Sequence, residues 1–291
     1  MTYAGVELGG TKCIAILASG PGDILARETV PTSTPEETLG RLEATLHEWK
    51  AGTGFDALGI ASFGPIDVDP ASPTYGQMRA TTKPGWSHAD VVSRLAKVGA
   101  VPTLLDTDVN GAALAEMRWG AGRGFDDFAY ITVGTGVGVG LIVNGRPTRG
   151  FGHCELGHMR VARLAGDDWL GSCSFHGDCV EGVASGSALK ARFGDAMADL
   201  QPDDPVWEWV SWTLAQLCHA IALAAAPYRI AIGGGVLSRQ PHLLEKIEAG
   251  LIESLNGFVQ MPVDRPYVCA PELGDDAGPL GAIALAMAAT R

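Results

Sequence analysis

The sequence predicts a duplicated α/β protein, two similar halves with a cleft between them, and three observations carry that prediction. A strand, a glycine turn and a second strand open the chain as YAGVEL, GGTK and CIAILA, and the same order recurs as FAYITV, GTGVG and VGLIVNG. Behind each opening, helical patterns alternate with short apolar runs, the signature of a sheet covered by helices. No short tandem repeat or low-complexity linker interrupts the alternation.

Taken in order, DILARETV follows a turn at Pro21 and Gly22 and adds a third strand to the opening hairpin. Thr34 precedes a helix with Leu39, Leu42, Leu46 and Trp49 on one face, ending at Gly52. ALGIAS and VPTLL read as buried strands, and a helix runs from about Val109 to Trp119. After the second hairpin come helices from Pro205 onward, the strand RIAIGGG, a helix near residues 242–255 and a last helix after Asp275. The domains drawn from this are residues 1–110 and 111–291, with the last helix, about 276–291, packing back on the first domain.

Composition narrows the function. With 291 residues, 46% hydrophobic and 19% charged, the chain is globular. A net charge of −12 without clustered Lys or Arg disfavours a nucleic-acid partner. A phosphorylated small molecule stays compatible, because backbone N–H groups at glycine turns hold phosphates. The most apolar helix, WTLAQLCHAIALAAA, is too short for a bilayer and carries Gln216 and His219, so no membrane partner is expected. Met1 runs directly into a strand with no signal-like segment, which predicts a cytoplasmic protein whose six cysteines are thiols or metal ligands.

Three glycine turns stand out. Gly9, Gly10, Thr11 and Lys12 form either a plain hairpin or a phosphate loop in which no Cβ obstructs the anion. Gly134, Thr135 and Gly136 form the second turn, and Gly233, Gly234 and Gly235 end the strand RIAI, where ligands often meet a sheet edge. One nucleotide explains the three together better than three unrelated turns. In DTDVNGAALAE, Asp108 reads both as a helix N-cap and as a carboxylate at a strand end, placed as general base for a hydroxyl. Asp106 is the neighbouring candidate.

The stretch GSCSFHGDCVEG sets Cys173, His176 and Cys179 at three-residue intervals. Thiolates with imidazole suit a tetrahedral, redox-silent zinc ion. The fourth ligand must come from elsewhere, and His153, Cys154 and His158 in FGHCELGHM are the nearest upstream candidates.

Together VELGGTK, SFGPIDVDPASPTYG, TDVNGAALAE, CELGHM with CSFHGDCVEG, and GDDAGPLGAIALA resemble the ROK family of sugar kinases, within it the bacterial fructokinase branch, across essentially the whole chain. The resemblance implies the actin-like ATPase (ribonuclease H-like) fold, two α/β domains around a cleft. It implies that Gly9–Gly10–Thr11–Lys12 and Gly134–Thr135–Gly136 approach ATP phosphates while Gly233–Gly234–Gly235 lies by the adenosine. Asp108 matches the catalytic base, and Asn110, Glu155, His158 and Glu181 match sugar-contacting positions. His158 becomes the fourth ligand of a structural Zn²⁺ with Cys173, His176 and Cys179, His153 being the alternative. Glu7 replaces the Asp usual in the family's glucokinases and lies near Mg²⁺. The repressor members' N-terminal DNA-binding domain is not expected in this protein, since the phosphate hairpin begins within ten residues of Met1. The expected activity is ATP-dependent phosphorylation of a hexose, fructose first, with mannose and glucose behind, by a homodimer. A non-catalytic sugar sensor on the same fold is the competing reading.

Overall fold

The computed structural model describes residues 1–81, 83–262 and 264–290. Its contacts divide the chain into two compact units, Met1–Arg123 with Arg149–His153 and Asp275–Arg291, and Gly124–Thr148 with Cys154–Gly274.

In the first unit β1 (Tyr3–Leu8), β2 (Lys12–Gly20) and β3 (Asp23–Pro31) form the antiparallel opening. Helix α1 (Pro35–Ala51) follows, capped by Thr34 Oγ1 accepting from the Glu37 N–H and closed at Gly52. Then come β4 (Ala57–Ser62), α2 (Val92–Gly99), β5 (Thr103–Thr107) and α3 (Asp108–Trp119). The sheet order is β3-β2-β1-β4-β5, with β1, β4 and β5 parallel. The strand expected at VPTLL lies two residues later, because pairing Ser62 with Thr107 fixes its register on β4.

The second unit repeats this plan. Strands β6 (Phe128–Val133), β7 (Val137–Val143) and β8 (Arg146–Pro147) are antiparallel. Helices α4 (Val180–Ala184), α5 (Gly186–Phe193) and α6 (Val206–Ala225) precede β9 (Ile230–Gly233). Helices α7 (Gly235–Arg239) and α8 (Leu243–Leu255) lead to β10 (Val268–Cys269). The order β10-β9-β6-β7-β8, with β6, β9 and β10 parallel, is the first sheet's order again. The recurrence of the glycine-turn hairpin in the sequence is therefore a recurrence of topology. Sequence patterning missed α2, α4, α5 and α7, each of eight residues or fewer and too short to display a helical period.

The last helix, α9 (Ala277–Ala288), is buried almost all round and belongs to the first unit. It lies so close to the sheet that a Cβ on Gly59 would run into the carbonyl of Ala282. Arg27 on β3 holds its N-terminal end through an ion pair to Asp276 at 2.6 Å. No described helix is long and apolar enough to cross a membrane.

Candidate active site and metal centre

The parallel strands β1, β4 and β5 end at one level, since Leu8 pairs with Ser62 and Ser62 with Thr107. The next residues on either side are the Gly9–Lys12 turn and Asp108. The turn closes through Gly9 N–H to the Lys12 carbonyl at 3.1 Å, and Thr32 Oγ1 donates to the Gly9 carbonyl at 2.7 Å. Gly10, Thr11 and Lys12 remain exposed.

Structure separates the two aspartates that sequence could not. Asp106 is 1% exposed and both carboxylate oxygens are in use: Oδ1 accepts from the Thr107 N–H and Asn110 Nδ2, each at 2.8 Å, and Oδ2 accepts from Arg149. Asp108 is only half-buried, at the first position of α3, and Oδ1 accepts from the next N–H, Val109, at 2.9 Å. The expectation that Asp108 is the N-cap needs correcting. Thr107 caps α3, its hydroxyl accepting from the Asn110 N–H at 3.2 Å, because it is the last residue with extended backbone. Asn110 is fully buried, its Nδ2 committed to Asp106 and its Oδ1 lacking a partner.

Glu7 sits against the first turn of α9, where a Cβ on Gly278 would collide with its carboxylate. Burial, then the charge of Asp108, pushes Glu7 up to about 7, against the pull of Lys12 and Arg27. Two close carboxylates with one half-protonated near neutrality are a pair that a divalent cation would satisfy.

In the second unit, Gly134–Thr135–Gly136 follows β6 and Gly233–Gly234–Gly235 follows β9, at the same ends of parallel neighbours. Gly234 has φ +90°, and a Cβ there would lie 2.7 Å from the Val133 backbone, so only glycine lets the two turns approach. The first turn is held from α5, through Gly186 N–H to the Gly134 carbonyl at 2.7 Å, and from α4, through Glu181 Oε2 accepting from the Val137 N–H at 3.1 Å.

His158, Cys173, His176 and Cys179 come together, their ligand atoms all within 4.8 Å of one another. A one-turn 3₁₀ helix, Leu156–His158, carries His158 just after the exposed Glu155. A tight loop closed by paired hydrogen bonds between Cys173 and Gly177 presents Cys173 and His176, and Cys179 caps α4. Cys173 Sγ is 3.6 Å from His158 Nδ1 and 3.7 Å from His176 Nδ1, and Cys179 Sγ is 3.7 Å from His158 Nδ1. A tetrahedron with Zn–S of ~2.3 Å and Zn–N of ~2.0 Å has S···N edges of about 3.6 Å, so the donor set fits zinc. Burial pushes the Cys179 thiol up to about 11, a cost that a bound cation would remove. His153 lies elsewhere, in the first unit, where its Nε2 accepts from the Ile66 N–H at 3.3 Å. Sequence reasoning did not single out Arg149, the partner of Asp106. A lone arginine in a loop carries no local signal of a contact 43 residues away.

Two sheets of one topology, each with a glycine turn after its first strand, define an α/β protein of the actin-like ATPase class. The chain belongs to the ROK family, whose sequence profile matches residues 3–289. It is similar to a fructokinase of Pediococcus pentosaceus, 38% identical over 291 residues covering 100% of this chain and 99% of that protein. A fructokinase of Zymomonas mobilis is 39% identical over 294 residues, covering 99% and 97%. Among solved structures, the ROK hexokinase of Thermus thermophilus superposes with a TM-score of 0.80 at 26% identity, covering 100% of this chain and 99% of the other.

Proposed function

We infer that the chain is an ATP-dependent hexose kinase that converts fructose to fructose 6-phosphate. The observation that carries this is a half-buried carboxylate, Asp108, just beyond the parallel strand ends that also support the Gly9–Lys12 turn, in a chain alike over its full length to fructokinases.

Asp108 accepts the proton of the attacking hydroxyl, a role its neighbour Asp106, saturated by hydrogen bonds, cannot take. The Gly9–Lys12 and Gly134–Gly136 turns, closed by the Gly9 and Gly134 N–H groups, offer the N–H groups of Gly10, Thr11, Thr135 and Gly136, with the side chains of Thr11 and Lys12, to the ATP phosphates, and Gly233–Gly234–Gly235 borders the adenosine. Glu7 is the carboxylate nearest to hand for Mg²⁺. Mg²⁺ bound with ATP would supply positive charge against the charge that develops on the transferred phosphoryl. Glu155, Glu181, His158 and Asn110 orient the sugar. Four protein ligands make the zinc structural, since no position is left for water activation. His158 would hold the ion through Nδ1 and keep Nε2 for the sugar.

The location in this reading is the cytoplasm, where Cys173 and Cys179 stay reduced for the metal. The oligomer is a homodimer, checked by light scattering against the 30.3 kDa chain mass. ATP consumption measured over a hexose panel tests the activity. Fructose is expected to give the highest kcat/KM, ahead of mannose and glucose. A preference for glucose would reassign the substrate, and binding without turnover would favour the sensor.

A further inference from the structure

We propose that Lys83 is a second phosphate-binding cation of the active site, carried to the γ-phosphoryl of ATP by the loop after β4. This rests on residues 9–12 being the phosphate turn. Lys83 Nζ donates to the Gly10 carbonyl at the tip of that turn, 73 residues away in sequence. The ammonium also stands over the Phe63 ring, 5.8 Å from its centroid.

The root of the loop is fixed. Trp86 is fully buried, donates its indole N–H to the Ser33 carbonyl at 2.8 Å and packs edge-on to Phe63, with ring centroids 5.1 Å apart. Phe63 follows the end of β4, its N–H bound to the Leu8 carbonyl at 2.8 Å. A rigid aromatic base thus sets a lysine on four rotatable bonds beside the turn.

Charge points to its ligand. Arg27, the other cation acting on Glu7 besides Lys12, is committed to Asp276 at 2.6 Å. Lys83 instead rests on an uncharged carbonyl and an aromatic face, both weaker partners for an ammonium than a phosphate oxygen. In the transfer, the bond from the β,γ-bridging oxygen to the γ-phosphorus breaks and the bond from the sugar oxygen forms. The hydroxyl proton goes to Asp108. Lys83 keeps its protons and offsets charge on the γ-oxygens, leaving Gly10 for the phosphate.

The test compares full-length wild type, Lys83→Met and Lys83→Arg for binding of ADP and of a non-hydrolysable ATP analogue, both with Mg²⁺, and for kcat. Lys83→Met is expected to weaken the analogue about tenfold while ADP changes less than about twofold, with kcat falling about 10²-fold. Lys83→Arg restores most of the analogue's affinity. Equal weakening of both nucleotides, or of neither, overturns the proposal, the former marking Lys83 as a mere tether for Gly10. Lys12→Met, measured in parallel, separates the two readings. If it too fails to discriminate the nucleotides, residues 9–12 are not the phosphate turn; if it discriminates and Lys83→Met does not, only Lys83 is misassigned. Should Lys83→Met fold poorly, Lys83→Gln replaces it in the same comparison.

Discussion

Asp106 and Asp108 stand two residues apart at the end of β5 and differ in what surrounds them. Asp108→Asn is expected to lower kcat by about 10³-fold or more while the melting temperature stays within a few degrees, since the side chain is only half-buried and the amide keeps an oxygen that accepts from the Val109 N–H. Asp106→Asn is the reverse case. It strips the buried partner of Arg149, with an expected loss of about 1–3 kcal/mol in denaturant unfolding and some activity retained. Glu7 adds a pH dependence. Its folded-state value of about 7 lies above the ordinary 4.5, so the folded chain holds a proton that the unfolded chain has lost between those values. The associated stability is complete below about pH 4.5 and disappears as pH rises through 7, at most about 3 kcal/mol and less with its partial exposure. Melting temperatures across pH 5–8 should therefore decline less steeply in Glu7→Gln than in wild type.

At the scale of elements, the loop carrying Cys173 and His176 and the short helix α4 form one mechanical unit. Cys179 caps α4, and two residues on Glu181 accepts from the Val137 N–H beside the Gly134–Gly136 turn. An ion bound at the cluster would thus steady the Gly134–Gly136 turn, which the proposed function gives to the ATP phosphates, as well as Glu181. Chelation is expected to lower the melting temperature by several degrees and to weaken the ATP analogue, read by calorimetry, with stoichiometric zinc released. Cys173→Ser should weaken metal retention by about tenfold or more. The approach to this loop has its own brace: the carboxylate side chain of Asp167, only 1% exposed, is paired with Arg163 and with Arg192 at 2.9 Å. That network does not depend on metal, so the region should stay folded after chelation while the cluster loosens. On the other sheet, Gly59→Ala would force α9 away from β4, at about 1–3 kcal/mol or more in denaturant unfolding.

Across the molecule, the residues legible in sequence are those whose chemistry is local. Thr34 and Gly52 announce α1, the apolar runs announce the central strands, and Cys173, His176 and Cys179 announce a metal loop by spacing alone. The repeated hairpin revealed the duplication because both sheets close the same turn after their first strand. Other features depend on which distant segments share a strand end. Register on β4 moved β5 two residues along and made Thr107 rather than Asp108 the cap. Contact across the first unit gave Asp106 to Arg149 and the Ile66 N–H to His153, leaving His158 to complete the cluster. Sequence by itself determined the fold class, the glycine turns and three of the four cluster residues, because turn conformation and ligand spacing are set within a few neighbours. Only the tertiary structure decided which aspartate is accessible, which histidine joins the thiols and where Lys83 rests, because burial and pairing are fixed by residues tens of positions apart.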